Sequence, residues 1–416
     1  MLRPTNHSSR RAFSLLEVLV SCGLVILVMG FLLSAVDQTR RTINSSTARV
    51  SQFQAARVAF EAMTRNLSQA TLNTYWDLDY NGVAPIRYRR QADLHFVMDY
   101  GANFGLPGSS PSKYPTHAVF FQAPLGLTTT MLGTTSQRKY SYLANLLSVV
   151  GYYVEWNEDT SGPKFLEGRT DIVPPRFRYR LMEVTQPGEY NMVYNNRNYT
   201  TVPNVPVSPA SPYTGPRDWI SLALGLRDLP IGSLPTGTKV GRVNSAHVLA
   251  ENVVALILIP KVSERDRSSA DAINDLTTNY TYDSRPQIAY QNQMRDTPDA
   301  PTHDNVTTNL PAIQRKQLHQ LPPIVQVTMV AIDEESAARL QNYSTTPPDW
   351  TSDLFKSCTT QTNFIKELGD PMKPVLKSLG YRLTNPEHSL PTPRMNYRVF
   401  TTDVQMRGSK WSRSSN

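Results

Sequence analysis

Cysteine is nearly absent from this chain of 416 residues: there are two, Cys22 and Cys358. Cys22 sits inside an apolar segment and Cys358 near the far end, so no pairing within one subunit is expected. A domain without internal disulfides has to stand on its packed core, even in an oxidising compartment. Neither cysteine has a CxxC neighbour, which argues against a structural zinc or a redox dithiol. The seven histidines, His7, His95, His117, His247, His303, His319 and His388, are scattered, with no HExxH and no His-x-His pair. The Walker loop, GxGxxG and the GxSxG elbow are also missing. No enzyme activity, catalytic residue or cofactor is expected from these patterns.

Proline and glycine are scarce where the chain starts. Only Pro4 precedes Pro85, although the sequence holds 31 prolines, and neither glycine nor proline occurs from Phe31 to Asn81. Both residues interrupt helices, so their absence points to one long helix followed by a loop-rich body. Charge of one sign is scarce as well. The formal net charge is +8, and Arg3, Arg10 and Arg11 lie in the first twelve residues, so the remainder carries 39 basic against 34 acidic residues, or +5. That is a solvated surface with a basic tilt rather than a nucleic-acid-binding stripe, and a nucleic-acid partner is not expected.

Long hydrophobic runs are limited to one. Residues 1–12, MLRPTNHSSRRA, are polar and basic; then Phe13 to Leu33 gives 21 residues with the single charge of Glu17. At about 1.5 Å per residue this length crosses a bilayer. Arg10 and Arg11 on its flank place that end in the cytoplasm by the positive-inside rule. A secretory signal peptide fits poorly, because its small-residue cleavage site follows the apolar run; here Ala12 precedes it. A plain signal anchor leaves Glu17 unexplained, since a carboxylate in lipid costs on the order of a few kcal/mol and usually has a partner.

The string of basic residues, Ala12, Phe13, Glu17 and an unbroken apolar helix resembles the prepilin (class III) processing signal. The resemblance implies a prepilin peptidase/methyltransferase that cuts between Ala12 and Phe13 and methylates the new amine of Phe13. It also implies that Glu17, at the fifth mature position, pairs with the terminal amine of a neighbouring subunit. One departure is Ala12 itself, where that family usually carries glycine. The implied pairing is physically sound: opposite charges attract far more strongly in low dielectric, and each relieves the other's desolvation.

Beyond the apolar run the helical pattern narrows to a stripe. Val36, Ile43 and Val50 are spaced by seven, as are Phe53, Phe60 and Leu67, with Ala56 and Met63 thickening the second group. The expected organisation is a leader over 1–12, a transmembrane helix over 13–34, its continuation over 35–75, and a globular domain over 76–411. A frayed tail is expected over 412–416. The body carries β-rich runs at 93–100, 117–123, 148–156, 176–184, 253–261, 323–332 and 397–407, which predict a mainly antiparallel sheet and an α+β fold. Helices are expected over 334–342 and 353–368, and long loops over about 186–217 and 263–320. Asp77, Asp79 and Asn81 in DLDYNG match the first half of a calcium-binding loop. Its ninth position is Pro85 and its twelfth is Tyr88 instead of glutamate, so an acidic turn ending the helix is the better reading and calcium a weak candidate.

One long helix before a β-rich body resembles the type IV pilin and pseudopilin architecture. RVAFEAMTRNLSQATLNTYW (57–76) and HVLAENVVALIL (247–258) are similar to J-type minor pseudopilins of type II secretion. LPPIVQVTMVAIDEESAARL (321–340) and YRVFTTDVQMRGSKW (397–411) look like Verru_Chthon cassette protein C. The resemblance implies a single-pass protein of the bacterial inner membrane with its domain in the periplasm or in a pilus-like filament. Its implied partners are other pilin-like subunits, and its implied role is assembly as a minor subunit. Two other readings share the anchor: an adhesin or secretion-substrate receptor using the long loops, and a DNA-uptake pilin.

Overall fold

A computed structural model describes residues 15–81, 84–128, 142–143, 145–159, 176–188, 191, 193, 217–224, 245–262, 276, 281–285, 317–340, 345–347 and 397–409. The chain divides into two units, Met1–Gln52 and Phe53–Asn416. A single helix, α1 (Leu15–Ser68), contributes to both.

In the first unit every described side chain of α1 from Leu15 to Ile43 is exposed, and this stretch is long and apolar enough to cross a membrane. Val36, Ile43 and Val50 of the heptad stripe are exposed here too. An exposed Arg41–Asp37 pair at 2.8 Å, one turn apart, decorates the surface of the helix.

In the second unit α1 is amphipathic in fact. Ala56, Ala59, Phe60, Met63 and Leu67 are buried at helical spacing, while Arg57 and Glu61 form an exposed pair one turn apart at 2.9 Å. The helix expected to run to residue 75 ends at Ser68. The following Ala-Thr-Leu-Asn-Thr has β-branched and turn-forming residues that favour leaving a helix. The segment instead joins the core: Ala70 and Leu72 are buried, and Thr71 N donates to Gln122 O at 3.0 Å.

The strands are β1 (Tyr75–Asn81), β2 (Ala84–Gln91), β3 (Val97–Tyr100), β4 (His117–Ala123), β5 (Ser148–Glu158) and β6 (Phe177–Gln186). After a short helix α2 (Asp218–Ala223) come β7 (Ala246–Glu251), β8 (Val253–Lys261), β9 (Tyr282–Asp283) and β10 (Ile324–Ile332). Helix α3 (Glu334–Leu340) and β11 (Tyr397–Gln405) follow, and a single 3-10 turn over Gly101–Phe104 separates β3 from β4. They form a six-stranded sheet ordered β7-β6-β5-β4-β3-β9, a three-stranded sheet ordered β11-β10-β8, and a separate β1–β2 hairpin. All pairings are antiparallel. The chain therefore has an apolar N-terminal helix and a β-rich antiparallel domain, an α+β arrangement.

All seven residues of β4 are buried, and so are eight of nine in β8, as continuous apolar runs require of strands covered on both faces. The expected strand at 93–100 is shorter, because the N–H groups before Val97 go to side chains. Asn73 Oδ1 accepts from Asp93 and Leu94 at 2.9 Å, Gln122 Oε1 from His95 at 2.9 Å, and Ser284 Oγ from Phe96 at 2.9 Å. Gly151 lies opposite Phe120, and the phenyl ring occupies the space where a Cβ would stand, 2.3 Å from the nearest ring carbon.

One residue carries the chain from one sheet to the other. Asn252, between β7 and β8, is buried with φ at 59°, a left-handed conformation that asparagine tolerates better than most residues. Its carbonyl accepts from Ile332 N at 2.9 Å. The expected helix over 353–368 and most of the expected loops at 186–217 and 263–320 lie outside the described residues, and within the second of these loops Tyr282–Asp283 forms a strand, β9, because it pairs with β3.

Candidate functional site

Of the residues singled out for processing, Ala12, Phe13, Arg10 and Arg11 lie outside the described residues. Glu17 is described: it stands exposed in the first turn of α1, within the segment able to cross a membrane. A carboxylate near a helix N-terminus is favoured by the backbone dipole, which adds to any partner it finds there.

The reading of Asp77, Asp79 and Asn81 as a turn that ends the helix requires correction. All three belong to β1, whose residues Asp77 and Asp79 stand in register with Arg89 and Arg87 of β2. A calcium loop curls its backbone around the ion, whereas this backbone is extended and hydrogen-bonded to a neighbouring strand. Among the described residues, no group of three or more His, Cys, Asp or Glu is placed to hold a metal. Trp76 and Tyr88 of the hairpin are 68% and 70% exposed, and Leu78, in register with Tyr88, is also exposed.

The densest polar cluster lies between elements far apart in sequence. His95 Nε2 is 2.7 Å from Asp283 Oδ1, and Trp219 Nε1 donates to His95 Nδ1 at 3.0 Å. Because Nδ1 accepts, Nε2 carries the proton and donates to the carboxylate. Asp283 Oδ2 also accepts from Arg217 Nη2 at 2.9 Å and Nε at 3.2 Å, and Arg217 Nη1 reaches Asp99 Oδ2 at 2.7 Å. The guanidinium also lies over the Phe104 ring, 5.4 Å from its centroid.

The electrostatics follow from this packing. Burial holds His95 below the usual imidazole range, and the nearby Arg285 and Arg217 charges act in the same direction against the pull of Asp283. Burial works against the Asp283 carboxylate, yet His95, Arg217 and the Arg285 N–H together hold it well below its ordinary range. Asp283 is thus a carboxylate and His95 a neutral imidazole.

A His–Asp pair of this geometry is the orienting half of an acid–base device, which needs the second ring nitrogen open toward a reacting proton. Here that nitrogen is filled by the Trp219 indole, and His95 is fully buried. The arrangement fastens α2 to β9 and to the 93–96 bend instead of presenting a base.

Two further clusters have the same character. Arg178, buried on β6, pairs with both carboxylate oxygens of Glu334 on α3, and Asn252 Nδ2 donates to Glu334 Oε2 at 3.0 Å. Beside it, buried Arg180 places Nη2 2.8 Å from Asp159 Oδ1 and donates from Nη1 to Glu158 O at 2.9 Å. In a third cluster, Asn66, Tyr152, Glu183 and His247 link α1 to β5, β6 and β7.

No family model matches the chain, and no curated protein or solved structure matches it either. The sequence patterns missed His95, Asp283, Arg217, Trp219, Arg178 and Glu334, all of which join distant segments. His95 and Asp283 are 188 positions apart, and no local spacing marks such a pair. The one local signal was the polar alternation of Arg176, Arg178 and Arg180, the last two of which share one face of a strand otherwise destined for the core.

Proposed function

We propose that this chain is a minor pseudopilin-like subunit of an envelope-spanning, type II secretion or type IV pilus-like assembly. It is cleaved between Ala12 and Phe13, methylated on Phe13, held in the inner membrane by the start of α1, and assembled by helix packing with Glu17 paired to a neighbour's terminal amine. The domain stands on the periplasmic side and contributes contacts rather than catalysis. The observation that carries the reading is the N-terminal string itself, with basic residues, Ala12, Phe13 and then Glu17 alone in an apolar helix. The exposure of that helix from Leu15 to Ile43 supports it, because an apolar surface of this length needs lipid or other helices to cover it.

The deciding experiment is the N-terminal mass of the protein purified from its own membranes, for wild type and Glu17→Ala. Mature wild type starts at N-methylated Phe13; the variant is processed but fails to co-purify with other pilin-like subunits. A wild-type chain that keeps residues 1–12 overturns the proposal.

A second reading, a membrane-anchored binding module, is favoured by the exposed Trp76, Leu78 and Tyr88 on the hairpin. Under that reading Trp76→Ala with Tyr88→Ala abolishes capture of a ligand while N-terminal processing and subunit association stay as in wild type.

A further inference from the structure

Strand β11 closes one end of the three-stranded sheet, and its pairing with β10 leaves alternate backbone groups facing outward. In an antiparallel ladder, residues bonded to the neighbour alternate with residues whose N–H and C=O point away from it. Two contacts fix which are which. Met406 N donates to Pro323 O at 3.0 Å, in step with the β10–β11 register, so the even-numbered residues from Arg398 to Val404 bond to β10. Thr401 Oγ1 lies 3.2 Å from Thr328 Oγ1, the close side-chain approach of a pair without backbone bonds. The N–H and C=O of Val399, Thr401, Asp403 and Gln405 therefore point to the open side, where no described residue receives them.

Open edges invite unwanted pairing, and folds blunt them with shortness, bulges, proline or covering groups. The other described edges are treated in this way. β9 has two residues, and β7 meets β6 with a register shift between Leu181 and Met182. The outer side of β8 is met by Thr116 Oγ1 and His117 Nδ1, which accept from Leu256 N at 2.9 Å and Leu258 N at 3.0 Å. The β1–β2 hairpin carries a register shift and Pro85. β11 has none of these devices. Its nine residues stay in unbroken register with β10, contain no proline or lysine, and include Val399, Phe400, Thr401, Thr402 and Val404, all strong strand formers.

Two charges lie on this edge, on opposite faces of the strand. Arg398 is exposed, its guanidinium lies over the Phe53 ring 5.6 Å from the centroid, and it has no carboxylate partner among the described residues. Asp403 is 55% exposed, with one oxygen 3.3 Å from Lys261 Nζ. We propose that the outer edge of β11 is a strand-addition site for an extended segment of a partner protein. The segment enters antiparallel, with a basic residue opposite Asp403 and, five positions later, an acidic residue opposite Arg398. Residues directly opposite share a face, so each charge meets its complement. A second copy pairing antiparallel along β11 cannot supply this match. Its free groups pair odd-numbered residues with odd, so Arg398 meets only arginine, phenylalanine, threonine or valine of the copy's strand. The site does not depend on the assembly role proposed above.

The test is fluorescence anisotropy of labelled peptides of valine and threonine, matched to β11 in length, titrated with the full chain in detergent micelles. The matched peptide carries lysine at its third position and glutamate at its eighth. It binds, and exchanging the two charges weakens binding about tenfold, because two favourable cross-strand pairs become unfavourable. Methylating the backbone nitrogens of its fifth and seventh residues, which point at Thr401 and Val399, abolishes binding; methylating the fourth and sixth, which point away, leaves it intact. Thr401→Pro removes an N–H that bonds nothing within the sheet, so the domain stays folded and peptide binding is lost. No binding of the matched peptide, equal binding in either charge order, or equal effects of the two methylation patterns overturns the proposal. So does a wild-type chain that is dimeric in micelles and becomes monomeric in Thr401→Pro, which assigns the edge to a second copy. Should that variant not fold, the methylated peptides decide with the wild-type chain alone.

Discussion

Asn66, near the end of the long helix, donates its side-chain amide to the Tyr152 hydroxyl at 2.9 Å, and that hydroxyl donates to Glu183 Oε1 at 2.6 Å. Glu183 Oε2 in turn lies 3.0 Å from His247 Nε2 on β7. Burial, followed by the facing Glu183 charge, pushes the Tyr152 phenol well above its ordinary value, so it is a donor at every working pH. One chain of hydrogen bonds therefore ties α1 across β5 and β6 to β7, and it lies beside the apolar contacts of Phe60, Met63 and Leu67.

Replacing Asn66 by alanine removes the helix's part of this link and leaves the Tyr152–Glu183 bond in place. The expected loss is about 1 kcal/mol, the usual net worth of a partly buried hydrogen bond. Tyr152→Phe costs more, about 2 kcal/mol, because the buried Glu183 then loses a donor. Denaturant unfolding of both single variants and the double variant checks this. The double loss should fall short of the sum of the singles, since both act on one network; simple additivity would show that the link does not exist in solution.

The Arg178–Glu334 pair yields a prediction of sign as well as size. Arg178 is 2% exposed, whereas Glu334 is half exposed. Glu334→Gln leaves a guanidinium in the core with, among the described residues, the more distant Glu251, 3.6 Å away, to balance it, and should cost about 2 kcal/mol. Arg178→Met removes the buried charge, and the remaining carboxylate can reach water. It should therefore cost less than Glu334→Gln, and adding it to Glu334→Gln should recover stability. Unfolding free energies of the three variants in one buffer test the order. If Arg178→Met proves the more damaging, the packing of the arginine stem outweighs its charge.

Much of the β domain was legible because its strands are either alternating or continuously apolar. The runs at 117–123, 253–261 and 323–332 match β4, β8 and β10 to within one residue, and the helix expected over 334–342 matches α3 over 334–340, its last two positions lying outside the described residues. The heptad spacing of Phe53, Phe60 and Leu67 predicts a seam, and Phe60 and Leu67 are buried while Phe53 packs against the core. The β1–β2 hairpin was missed for a specific reason. Tyr75 to Asn81 alternates and ends on Asn-Gly, a hairpin signal, but the acidic spacing of DLDYNG and the uninterrupted helical stretch before it favour a turn. β7 was missed because its pattern is half exposed, and β9 because two residues carry no periodicity. The polar clusters were invisible for a different reason. Arg217, Trp219, Asp99, His95 and Asp283 meet only once the sheet has formed, and sequence spacing holds no trace of that meeting.

Asp283 gives the domain a pH dependence whose sign can be worked out. Its folded-state value is depressed below the ordinary 3.8, so on acidification the unfolded chain takes up the proton first. The carboxylate's contribution is fully present above about 4 and is lost as pH falls from there toward the folded value, at up to about 1.4 kcal/mol per pH unit. Asp283→Asn keeps an acceptor for His95 Nε2–H but deprives Arg217 of a counter-charge, leaving Asp99 to hold it. At pH 7 the variant should be less stable by about 3 kcal/mol, the cost of breaking a largely buried pair. Between pH 7 and pH 5 that gap should stay constant; between pH 4 and pH 3 it should narrow, because only the wild type has a proton to take up at this position. His95 contributes acid sensitivity at higher pH. Burial holds it neutral when folded, so its share declines once pH drops below 6.5, and it does so in both proteins. Urea unfolding of the pair at pH 7, 5, 4 and 3 separates the two effects. A gap that stays constant down to pH 3 would mean that Asp283 is not held as a carboxylate by Arg217 and His95.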